Sequence, residues 1–445
     1  MEHLHKPADS CNNGGFGVAV SKENERAIGF IAISRQIIST VLKGYQGKTA
    51  VKLWDGRLVV GSPDAACQIV FNEPAVIREL VLYRSLSRLT EAYLDGAVSV
   101  DGDMETLFDM STYLQKLNLS WTEQWHLLTL ALKLPARQNK KNNTQKLAGR
   151  TTRKNGRASI AYHYDVSNAF YRLWLDPEMV YTCAYFRDEK QSLAEAQREK
   201  MDYLCRKLRL KPGQTLLDIG CGWGALAIYA ARHYGAIVHG ITLSKAQQRI
   251  ALDRVHAEGL VNQVKIEVCD YRDLPEQATY DRVVSVGMFE HVGIKNFPTY
   301  FGTVKRVLKA GGLFLNHGIT SERDWERTPV NRFINKYIFP DGELARVSTV
   351  TDAMEKAGFE VLDTEGLRRH YAYTLRHWVK SLVANREKAI QQTSEATYRL
   401  WRLYMAGSAY FFNEGSIGVY QLLVGHQRDS LAIPLRRDDL YTTAE

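Results

Sequence analysis

Cysteine is scarce in this chain. Six stand among 445 residues, at Cys11, Cys67, Cys183, Cys205, Cys221 and Cys269, with neither metal-type spacing nor a paired framework. That excludes a disulfide scaffold, points to no bound metal, and is the usage of a reducing cytoplasm. A bilayer-spanning run is missing too. The most apolar early stretch, 27–42, is interrupted by Ser34, Arg35, Gln36, Ser39 and Thr40, which suits an amphipathic helix rather than a membrane span. No secretory leader is expected of an N-terminus carrying His3, His5, Lys6 and Asp9. No internal repeat is visible. Acidic residues are absent from 135–157, which holds Arg137, Lys140, Lys141, Lys146, Arg150, Arg153, Lys154 and Arg157.

What is present describes a globular protein: 45% hydrophobic and 24% charged residues, with a formal net charge of +9. The length points to about two or three domains, and the charge to a polyanionic partner, nucleic acid or an anionic membrane. Residues 1–24, polar around Asn12-Asn13-Gly14-Gly15, read as disordered. Residues 45–71 are expected to form strands, 49–54 and 57–61 about a turn at Asp55-Gly56, followed by helices at 73–82, 87–94 and 104–117. This is a small α+β domain over 25–134. The basic segment 135–157 reads as a mobile linker, either a plain solvated tether or a clamp on anionic headgroups.

From residue 158 to 445 strands and helices alternate as in a doubly wound sheet. Strands are expected at 215–220, 236–243, 264–269, 281–287, 312–317 and 359–362, with a late antiparallel edge strand at 417–424. Helices fit 191–209, 224–234, 245–258, 296–309 and 349–357, and a helical insertion fits 374–410.

The most informative stretch is Leu216-Leu217-Asp218-Ile219-Gly220-Cys221-Gly222-Trp223-Gly224. Glycines between a buried strand and a helix let the turn take positive φ and let a ligand approach the backbone. Gly220, Gly222 and Ala225 also satisfy the looser dinucleotide fingerprint. That reading requires an acid at the end of the next strand, which instead runs Gly240-Ile241-Thr242-Leu243-Ser244. The acid stands before the glycines, at Asp218, as in S-adenosylmethionine methyltransferases.

Further segments follow in order: Tyr181-Thr182-Cys183-Ala184-Tyr185-Phe186, Thr242 to Gln247, Asp270-Tyr271-Arg272-Asp273-Leu274, and Gly287-Met288-Phe289-Glu290-His291-Val292-Gly293. His317-Gly318-Ile319 and His370-Tyr371-Ala372-Tyr373-Thr374-Leu375 complete the set. Together with the glycine turn, over roughly residues 158–426, they resemble the cyclopropane-fatty-acyl-phospholipid synthases and their mycolic-acid methyltransferase relatives. The N-terminal domain resembles the extra domain of the longer bacterial synthases in placement and general character.

The resemblance implies an α/β fold: a Rossmann-like, seven-stranded S-adenosylmethionine methyltransferase sheet with a helical lid insertion and a smaller α+β N-terminal domain. It implies methyl transfer to the cis double bond of an unsaturated phospholipid acyl chain, with ring closure after proton loss. The proton acceptor it implies is bicarbonate, held by Cys183, Glu290, His317, the Ile319 backbone and Tyr371. Tyr373 competes with Tyr371, although the pattern His-Tyr-x-x-Thr-Leu favours Tyr371. S-adenosylmethionine would lie on Tyr181, Thr182, Asp218, Gly220, Gly222, Thr242, Leu243, Gln247, Tyr271 and Arg272. His291 and Cys221 read as packing residues. The acyl chain would run between Phe170, Tyr171, Trp174 and Phe186 and the insertion's Trp378, Tyr398, Trp401, Tyr404, Tyr410, Phe411 and Phe412.

The partners implied are an unsaturated phospholipid in an anionic membrane surface and a second copy in a homodimer, with the protein at the cytoplasmic face. A methyl-branched, methylene or hydroxylated product stays open, because it depends on water access and the base. A nucleic-acid methyltransferase is disfavoured, since Gly287-Met288-Phe289-Glu290 occupies the position of an Asn-Pro-Pro-Tyr motif.

Overall fold

The computed structural model describes residues 22–137 and 167–441, apart from 278, 325, 327, 340, 341, 431 and 432. The expectation of disorder over 1–24 lies outside the described residues up to 21, while Lys22 to Asn24 open a helix. The linker expectation lies outside them from 138 onward. Arg137 itself pairs with Asp95 and Glu79.

The N-terminal elements are α1 (Lys22–Val41), β1 (Thr49–Leu53), β2 (Leu58–Val60), β3 (Cys67–Phe71), α2 (Pro74–Tyr83), α3 (Leu86–Leu94), β4 (Val98–Gly102), α4 (Leu107–Lys116) and α5 (Trp121–Leu132). The strands form a sheet in the order β2-β1-β3-β4. The turn between β1 and β2 falls where expected: Gly56 has φ +76° and its N–H donates to Leu53 O at 2.9 Å. The strand β3 falls within the stretch 45–71 expected to form strands, while β4 and the helix α5 are additions to the expected pattern.

A short α6 (Asn168–Tyr171) leads to α7 (Leu193–Lys207), which starts at a reciprocal cap between Ser192 and Glu195. Then follow β5 (Thr215–Ile219), α8 (Ala225–Tyr234), β6 (Ile237–Thr242), α9 (Lys245–Ala257), β7 (Val264–Val268), β8 (Tyr280–Val286), α10 (Phe297–Val307) and β9 (Leu308–Ser321). The chain continues with α11 (Pro329–Tyr337), α12 (Val347–Lys356), β10 (Phe359–Gly366), α13 (Arg368–Ala384), α14 (Arg386–Gln392), α15 (Glu395–Glu414) and β11 (Ile417–His426).

The second sheet runs β10-β11-β9-β8-β5-β6-β7, with β11 antiparallel to both neighbours and the rest parallel. The expected edge position of β11 is therefore corrected: it lies inside, and β10 is the edge. The reason is in the side chains. β11 buries the consecutive run Gln421 to Gly425, as a strand covered on both faces must, whereas β10 alternates buried Phe359 and Asp363 with exposed Glu360 and Thr364.

The insertion comprises α13 to α15 and begins earlier than residue 374, so Tyr371 lies within a helix. It also seats the N-terminal domain. Arg376 forks onto Glu105 at 2.7 and 2.6 Å. Arg399 reaches Tyr93 O and Val98 O at 3.0 Å each, and Arg402 reaches Val100 O and Gly102 O at 2.8 Å each. Leu400 and Ala406 of α15 join the apolar core of the N-terminal domain.

Candidate active site

Parallel strands β5, β6, β7 and β8 bring their C-terminal ends to one rim, the position where open α/β sheets bind ligands. At the end of β5 the backbone turns through Gly220, Gly222 and Gly224, at φ +84°, +55° and +81°. Gly220 N and Cys221 N both donate to Ile241 O, at 2.9 and 3.0 Å, which ties the turn to β6. A Cβ on Gly222 would meet no protein atom within 4 Å, so the corner is open toward a ligand. Cys221 packs as expected between strand and helix.

Asp218 stands buried beneath this turn, and its Oδ2 has no hydrogen-bond partner among the described residues. Burial raises its carboxyl to about 7, opposed by the nearby Lys200 ammonium. Lys200 is the functional group that the sequence reading missed. It is 2% exposed, its Nζ donates to Thr182 Oγ1 at 2.8 Å, and burial lowers it to about 8. The available signal was a lysine in the apolar stripe of α7, in step with Ala196 and Leu204.

Thr182 is held against the end of β8, where a Cβ on Gly287 (φ +67°) would stand 2.8 Å from Thr182 Cγ2. Thr242 Oγ1 donates to Gln247 Oε1 at 2.8 Å, and both side chains are buried at the end of β6 with Leu243 beside them. Arg272 is clamped onto Asp270 at 2.8 and 2.7 Å, and Tyr271 packs edge-on against Tyr300 at 5.2 Å. All ten residues proposed for the cofactor thus sit on the rim or on the loops that close it.

A second group adjoins them. Gly287 N donates to His317 O at 2.8 Å, and Ile319 N donates to Glu290 Oε1 at 2.7 Å. Ile319 pairs in register with Val419, whose carbonyl accepts from Leu367 N at 2.8 Å. Leu367 O in turn accepts from Tyr371 N at 3.2 Å and from the Cys183 thiol at 3.8 Å. One short path therefore strings together Glu290, Ile319, Tyr371 and Cys183, with His317 two residues before Ile319.

Their protonation states follow from burial. Burial lifts Glu290 to about 7 and pushes the Cys183 thiol upward, so the thiol stays protonated. His317 is driven well below its ordinary value and is neutral. With the Gln421 amide nitrogen donating to its Nδ1 at 3.2 Å, the ring proton sits on Nε2. Glu290 Oε2 and His317 Nε2 have no hydrogen-bond partner among the described residues, which leaves one buried acceptor and one buried donor. The Ile319 N–H, expected at an ion, is engaged by Glu290.

A cavity of about 1850 Å³ opens onto this group. Tyr181, Thr182, Glu290, Ile319 and Tyr371 are in its lining with Tyr404, Tyr410, Phe411 and Phe412. Mostly apolar residues of the N-terminal domain and of α11 line much of the rest, together with a polar stretch that includes Glu322, Asp324 and Glu326. Tyr373 is turned away, its hydroxyl bonded to Glu189. His291 lines the cavity against Phe339 at 5.4 Å, and burial lowers it to about 4. Phe170, Tyr171, Trp174, Trp378, Tyr398 and Trp401 do not line it. They form a packed aromatic cluster behind Tyr181, and Phe186 packs on Ala184 and Ala196.

Sheet order, glycine corner and preceding acid define the class: an enzyme with the S-adenosylmethionine-dependent methyltransferase fold. The family described as mycolic acid cyclopropane synthetase matches residues 151–422, and a domain of unknown function matches residues 37–120. The chain belongs to the mycolic acid cyclopropane synthetase family.

A probable fatty acid methyltransferase of Pseudomonas putida is 42% identical over 401 residues, covering 88% of this chain and 95% of that protein. The cyclopropane-fatty-acyl-phospholipid synthase of Escherichia coli strain K12 is 42% identical over 261 residues, covering 59% of this chain and 66% of the relative. A solved structure of the mycolic acid cyclopropane synthase CmaA1, complexed with SAH and CTAB, superposes with a TM-score of 0.57 at 36% identity. It covers 61% of this chain and 99% of that one.

Proposed function

We propose that the protein transfers the methyl group of S-adenosylmethionine to the cis double bond of an unsaturated phospholipid acyl chain and closes a cyclopropane ring. The observation that carries this reading is the mostly apolar cavity whose wall includes Tyr181, Thr182, Glu290 and Tyr371, with Thr182 linked through Lys200 to Asp218 at the glycine corner. An alkene is a weak nucleophile, so the reacting carbons must be held dry and close to the methyl donor.

When bound, the sulfonium cofactor supplies an electrophilic methyl group; the buried Asp218, the Gly220–Gly222 turn and the Thr242–Gln247 pair are the groups that would hold it. Lys200 opposes the effect of burial on Asp218, favouring its ionised form, and fixes Thr182 at the rim. In the reaction the sulfur–methyl bond breaks as a carbon–carbon bond forms, leaving positive charge on the neighbouring acyl carbon. The faces of Tyr181, Tyr371 and Tyr404 stabilise that charge by about 0.5–2 kcal/mol each. Loss of a proton from the added methyl group then closes the three-membered ring.

Bicarbonate suits the second group of residues. The Tyr371 hydroxyl and His317 Nε2–H would donate to its oxygens, Glu290 Oε2 would accept its O–H, and the Cys183 thiol, whose proton faces the Ala184 and Leu367 carbonyls, would pack beside it. A bound bicarbonate would supply the proton acceptor at this point. The wider setting we infer is a homodimer at the cytoplasmic face of an anionic membrane.

A relative that matches 88% of the chain is named a probable fatty acid methyltransferase, a name that leaves a methyl-branched product as the second reading. Labelled cofactor and vesicles of a monounsaturated phospholipid, followed by mass spectrometry, test both. A ring adds one methylene to the chain, and a saturated branch adds one methylene and two hydrogens. No labelled lipid of either kind would defeat the proposal.

A further inference from the structure

Helix α5 is apolar on two faces. Leu127, Leu130 and Ala131 are buried in the core of the N-terminal domain. On another face Trp121 and Trp125, one helical turn apart, are 79% and 62% exposed, with Leu132 further along at 56%. A globular helix that needs only one apolar face leaves such a stripe unexplained.

Its surroundings say what covers it. The end of α2 lies against the start of α5, since Arg84 donates to Gln124 at 3.0 Å, and this adds exposed Tyr83 and Leu86 to the patch. Arg84, Lys43 and Lys133 stand around it, exposed, and none is in an ion pair among the described residues. The nearest carboxylate, Glu123, is spent on the cap of α5, accepting from Ser120 N at 2.8 Å and Ser120 Oγ at 2.7 Å. Most telling, Leu86, Trp121 and Trp125 also line the apolar cavity that ends at Glu290. These three side chains are therefore both exposed to solvent and part of the cavity wall.

We propose that this face of α5 docks the protein on an anionic lipid bilayer and that acyl chains pass into the cavity between Leu86, Trp121 and Trp125. Tryptophan and tyrosine settle at the headgroup level of a membrane, and a basic surround draws them to anionic lipid. A second copy of the chain fits less well. In a two-fold contact the stripe meets itself, and the basic residues flanking it would oppose their own equivalents. The choice of lipid rests on the function proposed above, while the docking surface stands on its own geometry.

The test uses the full chain, wild type and Trp121→Ser/Trp125→Ser, with vesicles of monounsaturated phosphatidylglycerol and phosphatidylcholine or of phosphatidylcholine alone. Co-sedimentation with anionic vesicles should fall about tenfold or more in the variant. Wild-type tryptophan fluorescence should be quenched by brominated lipid. Binding of S-adenosylhomocysteine should be unchanged, and methyl transfer should fall with vesicles but persist with detergent-dispersed lipid.

Equal partitioning of the two proteins overturns the proposal. So does a variant that loses self-association in sedimentation equilibrium while keeping its vesicle binding, for the stripe is then a contact between copies. Tryptophan-dependent vesicle binding without transfer to any lipid would uphold the docking surface and defeat the proposed reaction. Transfer from vesicles that is indifferent to both tryptophans would do the reverse.

Discussion

Replacing Glu290 by glutamine should make the protein more stable and nearly inactive, with a stability gain that depends on pH. The carboxyl lies at about 7 instead of its ordinary 4.5 because burial disfavours its charge, with the Ile319 N–H only partly offsetting this. At about 1.4 kcal/mol for each unit of pKa, the ionised side chain costs about 3 kcal/mol of folding stability.

The sign follows from proton binding. The folded state holds the proton more tightly than the unfolded state, so stability falls as pH rises from 4.5 to about 7 and the full cost applies above that. Glutamine keeps an oxygen for the Ile319 N–H and removes the charge. Glu290→Gln should therefore gain about 3 kcal/mol at pH ~8 and less than about 1 kcal/mol at pH ~5. At about 2 °C per kcal/mol, the melting temperature should rise by about 6 °C at the higher pH. Turnover should fall at least about a hundredfold, as for loss of a proton-handling group. Thermal unfolding from acid to mild base, beside labelled methyl transfer, reads both quantities. A variant that is less stable at the higher pH, or a gain that does not change with pH, would refute the claim that this carboxylate is desolvated.

Other expectations follow from the same geometry. With Asp218 raised to about 7 in the protein alone, S-adenosylhomocysteine binding near pH ~7 should release about half a proton, visible by calorimetry in buffers of different ionisation enthalpy. Lys200→Met should weaken that binding about tenfold by removing the ammonium beside Asp218 and Thr182. Gly222→Ala should cost only about 1–2 kcal/mol of stability, for the left-handed backbone, yet abolish detectable cofactor binding. Gly318→Ala should instead damage folding, because its Cβ would lie 1.8 Å from Phe289 Cε1. Arg376→Ala should cost about 1 kcal/mol and raise hydrogen exchange in β4 and the turn holding Glu105.

The parallel strands β5 to β9 were legible because each is a short apolar run next to turn residues, and the glycine corner because its backbone needs are written in residue types. Asp218, Gly220, Gly222, Thr242 and Leu243 lie at or just past strand ends, as their motifs imply, whereas Tyr181, Thr182 and Gln247 come from a loop and a helix beside them. The misplaced edge strand shows the limit: period and hydrophobicity announce β11, but only the weaker, polar β10 tells which of the two must face solvent. Helix α5 carries a readable start, Ser120-x-x-Glu123, but its two apolar faces blur the single stripe that marks a helix. Lys200 and the part of the cavity lining that comes from the N-terminal domain escaped because both depend on which helix packs where, whereas Tyr404, Tyr410, Phe411 and Phe412 were expected and line it. The cavity runs along the N-terminal domain, and the aromatic residues nearest the motifs turn out to be packed solid.

The arginines of α15 have a consequence beyond holding two domains together. The carbonyls they grip, on Val98, Val100 and Gly102, belong to β4, the border strand of its sheet. An uncapped border strand is a template on which another chain can add itself. Here guanidinium groups occupy those acceptors, so the seat that positions the small domain also seals it against fibril-like growth. Because the grip is on main chain, it does not depend on the exposed side chains of β4, such as Asp101.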